Sequence, residues 1–159
     1  MKDHDMIVRL RGIRQLREQR AGEKVIQRQT AARKAAMRTT QAAEATATHL
    51  ERLGTKERSA FGSLIGQSVS AVSLHRIRGQ VEKAAGETAR FREDEKLAGQ
   101  AEKERKAELS EASGIHRARV KAVTKLDRLL EHMTSRGARR NMALAELSDE
   151  EDSGSGHKS

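Results

Sequence analysis

Apolar residues return at alternating steps of three and four positions along most of the chain. On an α-helix this spacing forms one narrow stripe, typical of helices that pack side by side. The stripe of the first half comprises Met6, Leu10, Ile13, Val25 or Ile26, Ala32, Ala36, Ala43, Ala47, Leu50 and Leu53. The stripe of the second half comprises Leu74, Ile77, Val81, Ala84, Phe91, Leu109, Ala112, Val120, Val123, Leu126, Leu130 and Met133. The pattern predicts two long helices that pack against each other.

The two stripes are separated by SAFGSLIGQSVSAVSLH, residues 59–75, which contains no charged side chain. Gly66 suits the C-cap of a first helix, and Ser68 or Ser70 suits the N-cap of a second. We therefore predict a first arm over about 6–65, a turn over about 66–70 and a second arm over about 71–140. With the turn near residue 68, antiparallel partners should have numbers that sum to about 136. Ile13 would then face Val123, and Leu10 would face Leu126.

Composition supports an all-α fold. The 159 residues include no Pro, no Trp, no Tyr and only two Phe, so few large side chains could fill a globular core. The predicted architecture is a long antiparallel two-helix coiled-coil hairpin over residues 1–147. The last stretch, residues 148–159, is acidic and rich in Ser and Gly and lacks any stripe, which predicts a disordered tail.

Catalysis and cofactor binding are not expected. The chain has no Cys, no Gly-rich phosphate loop and no HExxH motif, and two helices offer no cleft for a reaction centre. His4 and His132 would face each other, but two histidines without a third ligand do not make a metal site. The uncharged run is too short and too polar to cross a membrane. We therefore expect neither an enzyme nor a metal, cofactor, small-molecule or membrane-inserted site.

The uncharged run has two interpretations. It is either a turn with local packing, or a turn that also docks onto a protein, since exposed apolar clusters often mark interaction sites. The second interpretation makes the tip of the hairpin a partner-binding surface. Its candidate residues are Phe61, Leu64, Val69, Leu74, Ile77 and Arg78.

Positive charge is concentrated in two segments. Residues 1–40 carry a net charge of +7 and residues 101–145 carry +5, whereas residues 41–100 carry +1 and residues 146–159 carry −4. A hairpin brings the two basic segments side by side at the end away from the turn. This basic end could be a solvated face, bind an acidic protein surface, or bind nucleic acid. No aromatic residues suited to base stacking and no zinc-finger spacing support nucleic acid, so a solvated face and an acidic protein partner are the stronger alternatives.

Two stretches resemble a known family, the YscO/HrpO group of type III secretion stalk proteins, which is related to the flagellar FliJ proteins. The first is MIVRLRGIRQLREQRAGEKVIQRQ at residues 6–29, with a start of the form LxxIRxLRExRA. The second is LIGQSVSAVSLHRIRGQVEKA at residues 64–84, similar to the break and the Leu-rich, Arg-containing restart of that group. The resemblance covers about residues 6–146.

The resemblance implies a non-catalytic stalk at the cytoplasmic base of a secretion apparatus. Its expected partners are the hexameric secretion ATPase, the cytosolic ring of the export gate and secretion chaperones. The basic end, with Arg11, Arg14, Arg17 and Lys121, would bind the ATPase, and the tip would bind the gate. Two other functions stay open: a basic helical protein associated with nucleic acid, and a cytosolic coiled-coil adaptor of another complex.

Overall fold

A computed structural model describes residues 2–155 and consists of two α-helices. Helix α1 spans Lys2–Leu64 and helix α2 spans Ala71–Ser155. The two helices pack against each other, so the predicted all-α helical hairpin is confirmed. The contacts divide the chain into two units, one of which joins the residues up to Val25 with those from Ala112 onward. The other unit comprises Ile26–Glu111 and includes the turn.

The turn lies where the sequence predicts it, between Leu64 and Ala71. Gly66 adopts a φ of +82°, a left-handed conformation that costs glycine nothing, and the amide of Gln67 donates to the Leu64 carbonyl at 3.3 Å. Ser70 caps α2, because its Oγ accepts a hydrogen bond from the Ser73 amide at 3.2 Å. Of the two serines proposed as N-cap, Ser70 is therefore the one that acts.

The predicted register agrees with the hydrogen bonds that cross between the helices. Arg14 Nη1 donates to the Ala122 carbonyl at 3.4 Å, and Arg28 Nη1 donates to Glu108 Oε2 at 3.1 Å. Both pairs of residue numbers sum to 136. The other crossing pairs that the structure describes have sums between 134 and 138, as expected for an antiparallel hairpin turned at this position.

The α1 stripe is confirmed in part, since Ala32 is buried and Val25, Ala36, Ala43 and Leu53 are partly buried. Its phase differs from the prediction at the remaining positions. Ala32 and Ala35 are both buried. The positions two and three heptads before them include Arg11, Glu18 and Arg14 and none of the large apolar residues. Met6 and Ile13 are consequently 66% and 51% exposed, and Leu10 and Leu50 are also exposed. The alanines set the phase, because helices approach most closely where side chains are small. Ile13 and Val123 thus lie at matching positions along the two helices, as do Leu10 and Leu126. Ile13 and Leu10 are nevertheless exposed and not packed between the helices.

The α2 stripe is largely as predicted. Ala112 and Leu126 are buried, and most of the other predicted positions are partly buried: Ile77, Ala84, Phe91, Leu109, Val123, Leu130 and Met133. Leu74, Val81 and Val120 are exposed instead. Leu74 and Val81 lie near the turn, where the packing between the helices is incomplete.

Helix α2 continues beyond its predicted end near residue 140. Residues 141–147 consist mainly of Ala, Leu, Met and Glu, and these helix formers carry the helix on into the segment expected to be disordered, as far as Ser155. All residues from 134 to 154 are exposed, so no tertiary packing supports this part of the helix. Residues 156–159 of the predicted tail lie outside the described part of the chain.

Candidate partner-binding surfaces

A cleft opens between the helices in the unit that contains the turn, and we refer to it as the tip cleft. It has a volume of about 820 Å³. Its lining comprises His49, Arg52, Leu53, Lys56, Glu57, Ala60, Phe61 and Leu64 from α1, and Ile77, Gln80, Val81, Lys83, Ala84, Glu87 and Phe91 from α2. Eight of these fifteen residues are apolar, and both helices also contribute charged residues to the lining.

The cleft ends at a ring contact. The His49 ring stacks on Phe91 with centroids 4.5 Å apart, and its Nε2 lies 2.9 Å from Thr88 Oγ1. Ala60 of α1 and Ala84 of α2 contribute the smallest side chains of the lining. A gap between packed helices forfeits van der Waals contacts, so a ligand that fills it gains them.

The structure brings only some of the predicted tip residues together. Phe61, Leu64 and Ile77 line the tip cleft, and Phe61 is 58% exposed. Val69 and Leu74 are not part of the lining; Val69 is partly buried and Leu74 is exposed. Arg78 is also exposed and forms an ion pair with Glu82 on its own helix at 3.4 Å. The candidate tip surface is thus a cleft with apolar residues beside it.

Sequence reasoning missed most of the cleft. Leu53, Val81, Ala84 and Phe91 lie outside the uncharged run, yet they form about half of the apolar lining of the cleft. Ala60 and Ala84 do not face each other in the predicted register, since their numbers sum to 144 and partners sum to about 136. No pairing of small residues in the sequence therefore predicts the opening.

The four predicted ATPase-binding cations do not form one free cluster. Arg11 is ion-paired across the hairpin with Asp127, and Arg14 donates to the Ala122 carbonyl. Arg17 and Lys121 are exposed. Two of the four residues therefore hold the helices together, and two remain available to a partner.

Other exposed cations surround this region. In the unit formed by the helix ends, α1 exposes Arg9, Arg17, Arg20 and Lys24, and α2 exposes Arg117, Arg119, Lys121, Lys125 and Arg128. Next to them, Met6, Ile7, Leu10 and Ile13 line a shallow depression with Arg9. We refer to Met6, Leu10 and Ile13 as the N-terminal apolar stripe. Exposed cations are thus present where the sequence predicts a basic surface. The N-terminal apolar stripe lies beside them, although the sequence placed its residues in the contact between the helices.

The seam beneath this surface is polar. His116 Nε2 lies 3.1 Å from Glu18 Oε1, and both side chains are about one-third exposed. Gly22 provides the space, since a Cβ at this position would lie 3.3 Å from His116 Nε2. Polar contacts of this kind define a register more strictly than apolar contacts, because each donor needs its own acceptor.

Two carboxylates near the middle of the chain have lowered pKa values. Hydrogen bonds from Arg105 at 2.8 and 2.9 Å lower the pKa of Glu108, with a further contribution from the charge of Arg28. The ammonium of Lys106, 2.8 Å away, lowers the pKa of Glu102, assisted by the Thr39 hydroxyl. Both carboxylates are therefore charged at neutral pH and support ion pairs.

Metal ligands are not assembled in the described residues, which contain no group of three or more His, Asp or Glu side chains arranged to hold an ion. His4 is exposed and lies 4.0 Å from Asp5, and His132 is exposed as well. Neither helix includes, within residues 2–155, a stretch long and apolar enough to cross a bilayer.

The chain was compared with protein families, curated proteins and solved structures. None of the family models, curated proteins or solved structures with which the chain was compared matches it.

Proposed function

We propose that this chain is a non-catalytic coiled-coil stalk component of a type III secretion system. It binds the hexameric secretion ATPase through the basic surface at its helix ends and the cytosolic ring of the export gate through its tip. It thereby supports protein export at the cytoplasmic base of the apparatus, where secretion chaperones are further partners. The observation that carries the proposal is a helical hairpin with an open apolar cleft beside its turn, in a chain whose sequence resembles the YscO/HrpO group at both the N-terminus and the turn.

The tip supports the gate-binding part of this proposal. Phe61 and Leu74 expose large apolar side chains beside a cleft that the hairpin itself does not fill. Apolar anchors that enter a pocket contribute most of the binding energy in many interfaces. Arg58, Arg76 and Arg78, all exposed, supply the polar rim that such interfaces usually have.

The helix ends support the ATPase-binding part. Their exposed cations favour an acidic partner surface, and the N-terminal apolar stripe provides the desolvated contact that a charged surface alone lacks. In our mechanism, successive contacts with the subunits of the ring stabilise some nucleotide states of the ATPase relative to others. Such a shift requires only that the chain bind those states more tightly.

The tip is tested by Phe61→Ala and Leu74→Ala. We expect each variant to lose gate binding by about tenfold or more and to reduce secretion, because truncating an interface anchor costs 1 kcal/mol or more. Helix content and ATPase binding should stay close to wild type, since Phe61 and Leu74 are exposed. Normal secretion by both variants, or loss only through unfolding, would reduce residues 59–75 to a simple turn.

Nucleic acid is the alternative partner of the basic surface. Salt-sensitive DNA binding near 10⁻⁸ M would favour it, because that affinity is typical of specific DNA-binding proteins. We expect the chain instead to bind DNA weakly and without sequence preference. An adaptor of another complex would bind neither the secretion ATPase nor DNA.

A further inference from the structure

The end of α2 carries an apolar stripe that nothing in the described structure covers. Leu144 and Leu147 lie two heptads after Leu130 and Met133, so they continue the stripe that packs against α1. They are nevertheless 58% and 56% exposed, like the rest of α2 from residue 134 to 154. We refer to residues 144–152 as the acidic helix end, because they hold five carboxylates and no cation.

The tip cleft has the complementary properties. Leu53, Ile77 and Val81 are among its apolar lining residues, and Arg52, Lys56 and Lys83 are its cations. Glu57 and Glu87 also line it, but residues 49–91 as a whole contain seven Lys or Arg against four Glu. The net charge of this segment is therefore +3, opposite in sign to that of the acidic helix end.

The dimensions also agree. The cleft extends along α1 from His49 to Leu64, a rise of about 22 Å, and the nine residues of the acidic helix end rise about 12 Å. On helical spacing, Glu150 lies beside the stripe formed by Leu144 and Leu147, and Glu151 lies at the end of the stripe, one heptad after Leu144. A helix seated by Leu144 and Leu147 would therefore direct the Glu150 carboxylate toward one rim of the cleft.

We infer that the tip cleft of one molecule binds the acidic helix end of a second copy of this chain. Cleft and acidic helix end include parts of the same unbroken helix α2, so the end that enters a cleft comes from another molecule. Packing cleft against cleft is disfavoured, since it would bring two segments of charge +3 together. The contact is thus heterologous, so assemblies grow head to tail unless they close into a ring.

This inference goes beyond the proposed function and does not rest on it. Self-association needs no ATPase, gate or chaperone, and it occupies Phe61 and Ile77 of the cleft. A partner that docks at the tip would compete with the acidic helix end of the neighbouring copy. The chain would then be held in an assembled form until a partner displaced its neighbour.

Two variants separate the two sides of the contact. Val81→Asp places a charge in the lining of the cleft. Val81 is 51% exposed, so the hairpin should tolerate the substitution. Leu144→Ser with Leu147→Ser removes the apolar stripe of the acidic helix end. Met142→Ser is the matched control, because Met142 is 66% exposed but lies on the opposite side of the same helix.

Analytical ultracentrifugation of the full chain over a range of concentrations tests the inference. We expect wild type and Met142→Ser to increase in mass with concentration, and less so at high salt. The cleft variant and the helix-end variant should each remain monomeric, with helix content unchanged by circular dichroism. An equimolar mixture of these two variants should form a 1:1 dimer and nothing larger, since only one intact cleft and one intact helix end remain.

Three results would overturn the inference. The first is a wild-type chain that stays monomeric at all concentrations, and the second is self-association that survives Leu144→Ser with Leu147→Ser. The third is a mixture of the two monomeric variants that fails to recombine, which would indicate a symmetric contact. Normal gate and ATPase binding in any of these cases would leave the proposed function intact.

Discussion

Among single residues, the contact between Gly22 and His116 is the tightest packing that a glycine makes in the described structure. A Cβ at Gly22 would lie 3.3 Å from His116 Nε2, whereas a Cβ at Gly12 would meet nothing within 4 Å. Both glycines lie inside α1, where alanine is the better helix former by about 1 kcal/mol. The two positions therefore separate helix propensity from packing.

We expect Gly12→Ala to raise the free energy of unfolding by about 1 kcal/mol, because nothing opposes the gain in helix propensity. Gly22→Ala should yield clearly less, since the His116 ring must shift and its contact with Glu18 lengthens. Urea denaturation followed by circular dichroism measures both. Equal stabilisation by the two substitutions would show that the His116 contact is unimportant.

Single residues also show which features of the structure could be predicted from the sequence. Gly66 and Ser70 were predictable, because a left-handed C-cap and a hydroxyl N-cap depend on a few neighbouring residues. Leu10 and Ile13 were misplaced, because two adjacent faces of α1 carry a stripe in steps of three and four. Only the close approach at Ala32 and Ala35 selects between the two faces, and that approach is a property of the packed pair.

Between the two helices, threonines form a regular set of crossing contacts. Thr39 and Thr46, one heptad apart, each direct a hydroxyl at a carbonyl of the opposite helix. Thr39 Oγ1 lies 3.1 Å from the Ala98 carbonyl, and Thr46 Oγ1 lies 3.4 Å from the Phe91 carbonyl. Each hydroxyl is also within hydrogen-bond distance of a carbonyl four residues earlier in α1. Small neighbours such as Ala35 and Ala42 permit this close approach.

Replacement of Thr39 by Val keeps its shape and removes its hydroxyl. We expect Thr39→Val to lower the free energy of unfolding by about 1 kcal/mol, because the hydroxyl contacts with the Ala98 carbonyl and the Glu102 carboxylate of α2 are lost. The matched control is Thr40→Val, whose hydroxyl reaches only the Ala36 carbonyl of its own helix and is exposed. Thermal denaturation compares them, and equal effects would argue against a contribution from the crossing contact.

Acid should weaken the hairpin at Glu108, which is paired with Arg28 on α1 and Arg105 on α2. Since the folded-state pKa of Glu108 is lowered, its pairing contributes stability that is fully present above the unfolded value near 4.3. That stability is lost as the pH falls through the lower folded value. At pH values below about 4, the melting temperature should therefore decrease. The decrease should be smaller in Glu108→Gln than in the control Glu104→Gln. Identical pH profiles of the two variants would contradict this assignment.

The helices themselves were the most predictable elements. Their composition and the capped turn defined both of them, and the register followed from the position of the turn. The end of α2 was less predictable, because residues 141–152 favour a helix by composition but have no partner to pack against. The tip cleft was not predictable, since it depends on the spacing between the two packed helices, which the pattern along each helix does not define.

For the whole molecule, we propose a role in binding partners. The exposed cations at the helix ends, the N-terminal apolar stripe and the tip cleft are surfaces that the hairpin leaves open to partners. Arg11 and Arg14 are less suitable for testing the ATPase contact than the sequence suggested. Reversing their charges would break contacts with Asp127 and Ala122 and would confuse unfolding with loss of binding.

The most direct test is therefore the affinity of the full chain for the hexameric secretion ATPase, measured for Arg17→Glu with Lys121→Glu. Both residues are exposed, so helix content should not change. The control is Arg90→Glu with Arg92→Glu, an equal change of charge at exposed residues of the other unit. We predict salt-sensitive binding of the wild type, weakened about tenfold or more by the first pair and little by the second. No binding of the wild type to the ATPase, or equal effects of the two pairs, would contradict the proposal.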